Sequence, residues 1–317
     1  MRRRTALPRS GKQGNGGFRY YQDMTGSTTI LILGAGYTGQ HFYVTAKGQG
    51  QQVLASSRDP TKHLAYARPT DRIEFDLTRQ ATWKNIPSAA DMVWCFPATP
   101  LAQVQAFAKT LGAPPRRFVV LGSTSAYAVK NEPKEYPPPW IDESAPIDLN
   151  KPRVQGEEYL RKHHGAIVLR VAGIYGAGRN PLDWIRQSRV GPSRKYVNLI
   201  HAEDLAAICL LALEHGKPGE TYNVSDGTPR TWNEICVAAQ QRWGMAAAAA
   251  KEDLSSGKRI SNAKLRAALG YTMRHPDLYE ALELIESADG VDAQDGQNGF
   301  QQGPRREETG GGPSGEN

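Results

Sequence analysis

The stretch GAGYTGQHFYVTAK, Gly34 to Lys47, holds two groups of residues whose types and spacing can do chemistry. Gly34, Gly36 and Gly39 form a G-x-G-x-x-G. The first glycine permits a tight turn, the second lets a pyrophosphate reach the backbone, and the third lets the following helix pack closely on its strand. Tyr43 and Lys47 stand one helical turn apart, where an ammonium can lower a phenol's pKa and fit it for proton transfer. Only the glycines are placed to work. They follow the apolar run TTILIL and open a helical segment, so the helix N-terminus faces the phosphates of a dinucleotide. At 1.5 Å per residue, that helix carries Tyr43 about 10 Å and Lys47 about 16 Å away from those phosphates. The pair therefore reads as part of an ordinary helix.

The second strand of such a unit ends ASSRDP. An acidic residue here would hold the ribose 2′-hydroxyl of NAD. Ser56, Ser57 and Arg58 instead offer hydroxyls and a guanidinium, which suit a 2′-phosphate. NADP(H) is the expected cofactor, with NAD(H) the alternative. Asp59 either offsets Arg58 or caps the next helix. Asp76, in EFDL, either accepts a hydrogen bond from the adenine amino group or closes an Asx turn.

The elements that must position these residues alternate. TTILILG, QQVLASS, DRIEFDL, DMVWCFP, RRFVVLG and GAIVLRV read as buried strands, separated by helical segments such as LAQVQAFAKTLG and RVQGEEYLRKHHG. The order implies an α/β fold, a Rossmann-type doubly wound parallel sheet. After Val171, the strand-like KYVNLI and TYNVS and the helices EDLAAICLLALEHG and TWNEICVAAQQRWG extend the sheet. They also build a small C-terminal substrate lobe, about 175–195 and 226–275, over its carboxyl edge.

Composition sets outer bounds. The 317 residues, 39% of them hydrophobic, can bury a full core. No run is apolar enough for a membrane span and the opening lacks a secretory signal, so a cytoplasmic protein is expected. An Arg-rich start leaves an organelle transit peptide open, and Met24 is an alternative start. Cys95, Cys209 and Cys236 are scattered and read as reduced core residues; no metal is expected. Residues 1–27 contribute +5 of the net charge of +7 and read as a disordered basic tail; 288–317, Gly- and Gln-rich and acidic, read as a second disordered tail. The basic tail is a weak argument for nucleic acid, which is not the expected partner.

Beyond the glycine loop, LGSTSAYA, LRVAGIYGAGRNPL, VNLIHAEDLA, TYNVSDGTP and KRISNAKLRAALGY follow in order. With these motifs, residues 28–285 resemble the atypical extended short-chain dehydrogenase/reductases of the NAD(P)-dependent epimerase/dehydratase group, closest to nucleoside-diphosphate-sugar-epimerase-like members. The resemblance implies cofactor contacts at Gly34, Gly36, Tyr37, Thr38, Gly39, Ser57, Arg58, Asp76, Leu77, Pro97, Ser123, Ala172, Gly173 and Ile174. It implies that Ser123 polarises a substrate carbonyl or alcohol, with Thr124 or Ser125 as substitutes and a turn-capping hydroxyl as the structural alternative. Arg179 and Asn180 fall where relatives meet substrate, although Asn180 before Pro181 also suits a helix start. Many relatives dimerise, so a homodimer is compatible.

The departure is in the helix that should carry the acid–base pair. Aligning Gly156–Glu157 with the family's small-residue–Glu pair puts Leu149 at the tyrosine position and Arg153 at the lysine position. Leucine cannot transfer a proton, and arginine is a fixed charge that can hold a ribose or phosphate. Among the remaining candidates, Tyr127 and His201 read as packing or loop-fixing residues and Lys151 as solvated. Tyr159 with His163 lies too far along the helix. Tyr175, beside the nicotinamide loop, is the expected substitute acid. Two functions stand: an NADP(H)-dependent oxidoreductase or sugar-nucleotide epimerase-like enzyme acting on a nucleotide sugar or carbonyl compound, and a catalytically inactive cofactor sensor or interaction protein.

Overall fold

Branched and aromatic side chains pack well on a pleated surface, and the apolar runs form strands accordingly. The computed structural model describes residues 28–88, 90–112, 115–128, 135–246 and 255–298, the side chains of 289–298 aside. The expected tail at 1–27 and the end of the second tail, 299–317, lie outside the described residues. The strands are β1 (Ile30–Leu33), β2 (Val53–Ser57), β3 (Arg72–Glu74), β4 (Asp91–Trp94), β5 (Phe118–Ser123), β6 (Trp140–Ile141) and β7 (Ile167–Val171). They continue with β8 (Gly173–Tyr175), β9 (Tyr196–Val197), β10 (Leu199–His201), β11 (Thr221–Val224), β12 (Arg230–Thr231) and β13 (Arg259–Ile260). The helices are α1 (Tyr37–Gly48), α2 (Pro60–His63), α3 (Leu101–Thr110), α4 (Pro152–His164), α5 (Pro181–Arg186), α6 (Ala202–His215), α7 (Trp232–Trp243), α8 (Ala263–Leu269) and α9 (Leu278–Asn298).

Seven strands pair in parallel in the order β11-β7-β5-β4-β1-β2-β3. This is the doubly wound Rossmann-type sheet expected from the alternation of elements. The order reverses between β1 and β4, which opens the crevice at the carboxyl edge where such sheets bind ligands. The period of two along β1 divides its side chains between two cores. Ile30 and Ile32 meet Phe42 of α1 and Leu205, Ile208 and Ala212 of α6. Leu31 and Leu33 meet Val104 and Phe107 of α3 and Leu160 of α4.

A third core forms the small lobe, where Tyr175, Leu182, Leu199, Trp232, Ile235, Leu278 and Leu282 pack together from β8, α5, β10, α7 and α9. A reciprocal capping box between Thr231 and Glu234 starts α7. Leu265 and Leu269 of α8 join the sheet core instead, within the span expected for the lobe. KYVNLI, expected as one strand, divides into β9 and β10 at Asn198, whose amide bonds Lys258 O at 2.8 Å and Ile260 N at 2.8 Å. Helix α9 passes the expected tail boundary at 288, continuing an amphipathic segment anchored by Leu278, Leu282 and Ile285. Among the described residues no helix is long and apolar enough to cross a membrane.

Candidate functional site

Each glycine of the loop has a different physical reason. Gly34 has φ +73°, and a Cβ there would lie 2.5 Å from the Phe96 ring. A Cβ on Gly39 would stand 3.1 Å from both Ala35 Cβ and Ile32 Cγ2, so helix and strand touch. At Gly36 nothing lies within 4 Å of the Cβ position, which leaves the backbone open to a ligand. The first turn of α1 has neither a side-chain cap nor an acidic residue, so its N–H groups at Tyr37, Thr38 and Gly39 remain available to an anion.

From this loop a cavity of about 370 Å³ runs along the ends of β2 and β3. Gly34, Ala35, Gly36, Phe75, Leu77 and Phe96 line it with Ser57, Arg58, His63, Asp76, Thr78 and Thr99. Arg58 is exposed at the rim and makes no hydrogen bond or ion pair among the described residues. Ser57 Oγ lies 2.9 Å from His63 Nδ1. His63 went unnoticed in the sequence; its only signal is a place one turn beyond the helix cap. Asp59 is that cap, its Oδ1 accepting from Lys62 N at 3.1 Å.

Ser56 leaves the expected phosphate set. It is fully buried, and its Oγ accepts from Gly34 N at 3.2 Å, so it holds the glycine loop in shape. Asp76 closes an Asx turn, its Oδ1 accepting from Thr78 N at 2.9 Å and Thr78 Oγ1 at 2.8 Å. Burial would raise its pKa, but the Thr78 hydrogen bonds and the charges of Arg79 and Arg58 outweigh it and hold the carboxyl below its ordinary range.

The other end of the crevice lies over the turn after β5. Ser123 Oγ accepts from Ser125 N at 3.2 Å, so this hydroxyl also caps the turn. Gly173 is exposed, and a Cβ there would meet Leu199 at 2.9 Å; Ala172 N donates to Val224 O at 2.9 Å, and Ile174 is half-buried. Pro97 is exposed on the loop after β4. Helix α4 crosses that loop so closely that a Cβ on Gly156 would stand 1.9 Å from Ala98 O. Leu149 is 54% exposed. Arg153 Nε pairs with Glu157 Oε1 at 3.0 Å. Burial pushes Glu157 up to about 6, against the opposing pull of Arg153 and Arg170.

Tyr175, expected as a substitute acid, is excluded from the crevice. It is fully buried in the lobe core, its hydroxyl has no partner among the described residues, and burial raises its pKa. Its ring packs with Leu182, Leu199 and Trp232 in the lobe core, while Gly173, two residues earlier, is exposed. Asn180 is likewise structural: its Oδ1 accepts from Leu182 N at 2.9 Å and its Nδ2 donates to Glu286 Oε1 at 2.5 Å. Arg179, expected at the substrate, lies with its guanidinium 5.1 Å over the Tyr37 ring, beside the start of α1. Tyr37 OH donates to Ala177 O at 3.0 Å, fixing the same loop.

The remaining candidates are spoken for. Tyr43 OH and Lys47 Nζ both meet Asp71 Oδ2, at 2.6 and 2.9 Å. Tyr127 OH donates to Asn223 Oδ1 at 2.6 Å. The Tyr159 ring lies 4.8 Å from that of His163. His201, Glu203 and His275 bring ligand-type atoms within 4.8 Å of one another, a cluster the sequence did not suggest. Glu203 N donates to His201 Nδ1 at 3.3 Å and His275 Nε2 lies 3.0 Å from Glu203 Oε2, so the three largely satisfy one another. Burial and the neighbouring His275 push His201 down to about 4. Lys151, expected in solvent, donates to Ser125 O at 2.6 Å. Lys258, which sequence reasoning missed, donates to Tyr127 O at 3.1 Å and Thr124 O at 3.4 Å.

A candidate NAD-dependent epimerase/dehydratase from Methylobacillus flagellatus matches with a TM-score of 0.69 and 26% identity, over 84% of this chain and 100% of that one. A short-chain dehydrogenase/reductase superfamily protein from Agrobacterium tumefaciens, solved with bound NAD, shares the fold with a TM-score of 0.68 and 17% identity, over 85% and 99% of the two chains. Protein YeeZ of Escherichia coli K12 is 28% identical over 125 residues, which cover 38% of this chain and 46% of YeeZ, under half of that relative's length. The profile of the NAD dependent epimerase/dehydratase family matches residues 30–225. That match spans more than half of the chain, which belongs to the NAD dependent epimerase/dehydratase family.

Proposed function

We propose that the protein is an NADP(H)-dependent oxidoreductase or epimerase-like enzyme acting on a small carbonyl compound or nucleotide sugar. The observation that carries this reading is the rim of the 370 Å³ cavity, where Ser57, Arg58 and His63 stand and the β2 end bears no free carboxylate. Arg58 and Ser57 would hold the 2′-phosphate, with Phe75, Leu77 and Phe96 as the apolar walls for the adenosine. The open first turn of α1 would take the pyrophosphate, with Arg179 adding positive charge beside it. When bound, the nicotinamide supplies or accepts a hydride. Ser123 would orient the substrate oxygen, and Arg153, held by Glu157, would fix the ribose. The NAD bound by the Agrobacterium neighbour supports a nicotinamide dinucleotide of one kind or the other.

A second reading, a cofactor sensor without turnover, is favoured by Leu149 alone. Fluorescence titration with NADPH and NADH, followed by hydride-transfer assays over aldehydes, ketones and nucleotide sugars, separates the two. NADPH should bind more tightly, and Arg58→Ala should weaken it about 10- to 100-fold, the scale of a charged hydrogen bond, with NADH unchanged. An unaltered NADPH preference in that variant would refute the cofactor assignment. Tight binding without turnover on any substrate class would leave the sensor.

A further inference from the structure

Three features of the turn after β5 point to one lysine. First, the phenols and the serine that could move a proton are turned to other work: Tyr127 OH donates to Asn223, Tyr175 is buried in the lobe core, and Ser123 Oγ caps its own turn, while Thr124 and Ser125 offer only hydroxyls of ordinarily very high pKa. Second, Lys258, on the residue before β13, reaches across to this turn from 134 positions away in the chain. Two of its three N–H donors take the carbonyls of Thr124 and Tyr127; the third has no partner among the described residues. Third, no carboxylate pairs with Lys258 among the described residues, and the cation facing it is Lys151, which donates to Ser125 O of the same turn. Asp148, 3.7 Å from Lys151, is the only acidic partner of that lysine among the described residues.

We propose that Lys258 transfers the proton to and from the substrate oxygen at the Ser123 turn, the task for which Leu149 is unfit. This rests on the oxidoreductase reading above. In the reducing direction, the carbonyl carbon gains the hydride that the reduced nicotinamide dinucleotide supplies. The carbonyl π pair moves onto oxygen, and that oxygen takes a proton from the Lys258 ammonium to give the alcohol. Lys258 is left as a neutral amine and regains its proton from solvent. In the oxidising direction the neutral amine accepts the alcohol proton as hydride leaves carbon. A lysine suits this exchange where its pKa is pulled toward neutrality. Burial lowers that of Lys258, and the charge of Lys151 lowers it further.

The test combines a chemical readout with a kinetic one on the full chain. Amine labelling with fluorodinitrobenzene, resolved by peptide mass spectrometry across pH, should report an apparent pKa for Lys258 below the ordinary lysine value. Saturating NADP+ should slow the labelling of Lys258 at least fivefold and leave Lys47 unchanged. Labelling of Lys258 that is indifferent to bound cofactor overturns the proposal alone; absence of dinucleotide binding in a parallel titration overturns the oxidoreductase reading with it. With a substrate that the enzyme turns over, Lys258→Met should lower kcat at least about 100-fold, the low end for general acid catalysis, with cofactor affinity within twofold. Lys258→Arg separates proton transfer from a structural role. An arginine can still tie the Thr124 and Tyr127 carbonyls but cannot release a proton, so activity should stay low. Recovery of kcat in Lys258→Arg overturns the proposal.

Discussion

Glu157 lies buried beneath the crevice, where its Oε2 stands 2.7 Å from the position a Cβ on Gly122 would take. Replacing it with glutamine keeps the shape and removes the charge. Burial raises the carboxyl from 4.5 to about 6 despite its pair with Arg153. A group whose folded pKa is raised binds its proton more tightly in the folded state. Its contribution is therefore complete below pH 4.5 and is lost as pH rises through 6. At 1.36 kcal/mol per unit, that difference amounts to about 2 kcal/mol. Glutamine does not titrate, so the stability of Glu157→Gln minus that of the natural protein should rise by about 2 kcal/mol between pH 4.5 and 7.5. Titrations of other groups cancel in the difference. Urea unfolding followed by tryptophan fluorescence at four pH values measures it, independently of any packing cost of glutamine, which is constant with pH. A flat difference, or one that falls as pH rises, would mean that Arg153 outweighs burial and would refute the reasoning.

Two further substitutions probe the crevice. Gly36→Ala adds a methyl where nothing lies within 4 Å, at φ −75°, so the melting temperature should stay within about 2 °C while dinucleotide affinity falls at least tenfold. Equal affinity for the two proteins would remove the pyrophosphate from this turn. Tyr175→Phe deletes a buried hydroxyl that has no partner among the described residues, so denaturant stability should hold or rise by about 1 kcal/mol and turnover should stay within twofold. A collapse of kcat would restore Tyr175 as the acid.

What could be read in the chain divides along a physical line. The six apolar runs announced β1 to β5 and β7, because a buried parallel strand is specified by its own side chains. The glycine roles were legible for the same reason: φ +73° at Gly34 and the close approach at Gly39 are local demands. Tyr175 was misread because adjacency to the nicotinamide loop says nothing about facing, and residues distant in the chain, on α5, α7 and α9, cover its ring in the lobe core. Asn180 was read as both a turn and a contact, and its Oδ1, accepting from Leu182 N at the start of α5, decides for the former, while its bond to Glu286, 106 positions on, had no local signal.

The same distinction governs the missing acid. Leu149 could be recognised as a departure because the spacing to Gly156 and Glu157 lies within one segment. Any compensation had to come from a residue brought in by tertiary structure, and lysines read as solvated by default because their charge is costly to bury. Lys151 keeps to that default, half-exposed and near Asp148, whereas Lys258 departs from it through the carbonyls of Thr124 and Tyr127, acceptors that an ammonium can use without a carboxylate partner. An ammonium held by carbonyls alone keeps no counter-charge to stabilise its proton. A paired lysine would be a weaker candidate for giving that proton up, and Lys264, in contact with Glu220 at 2.7 Å, is the comparison within this chain.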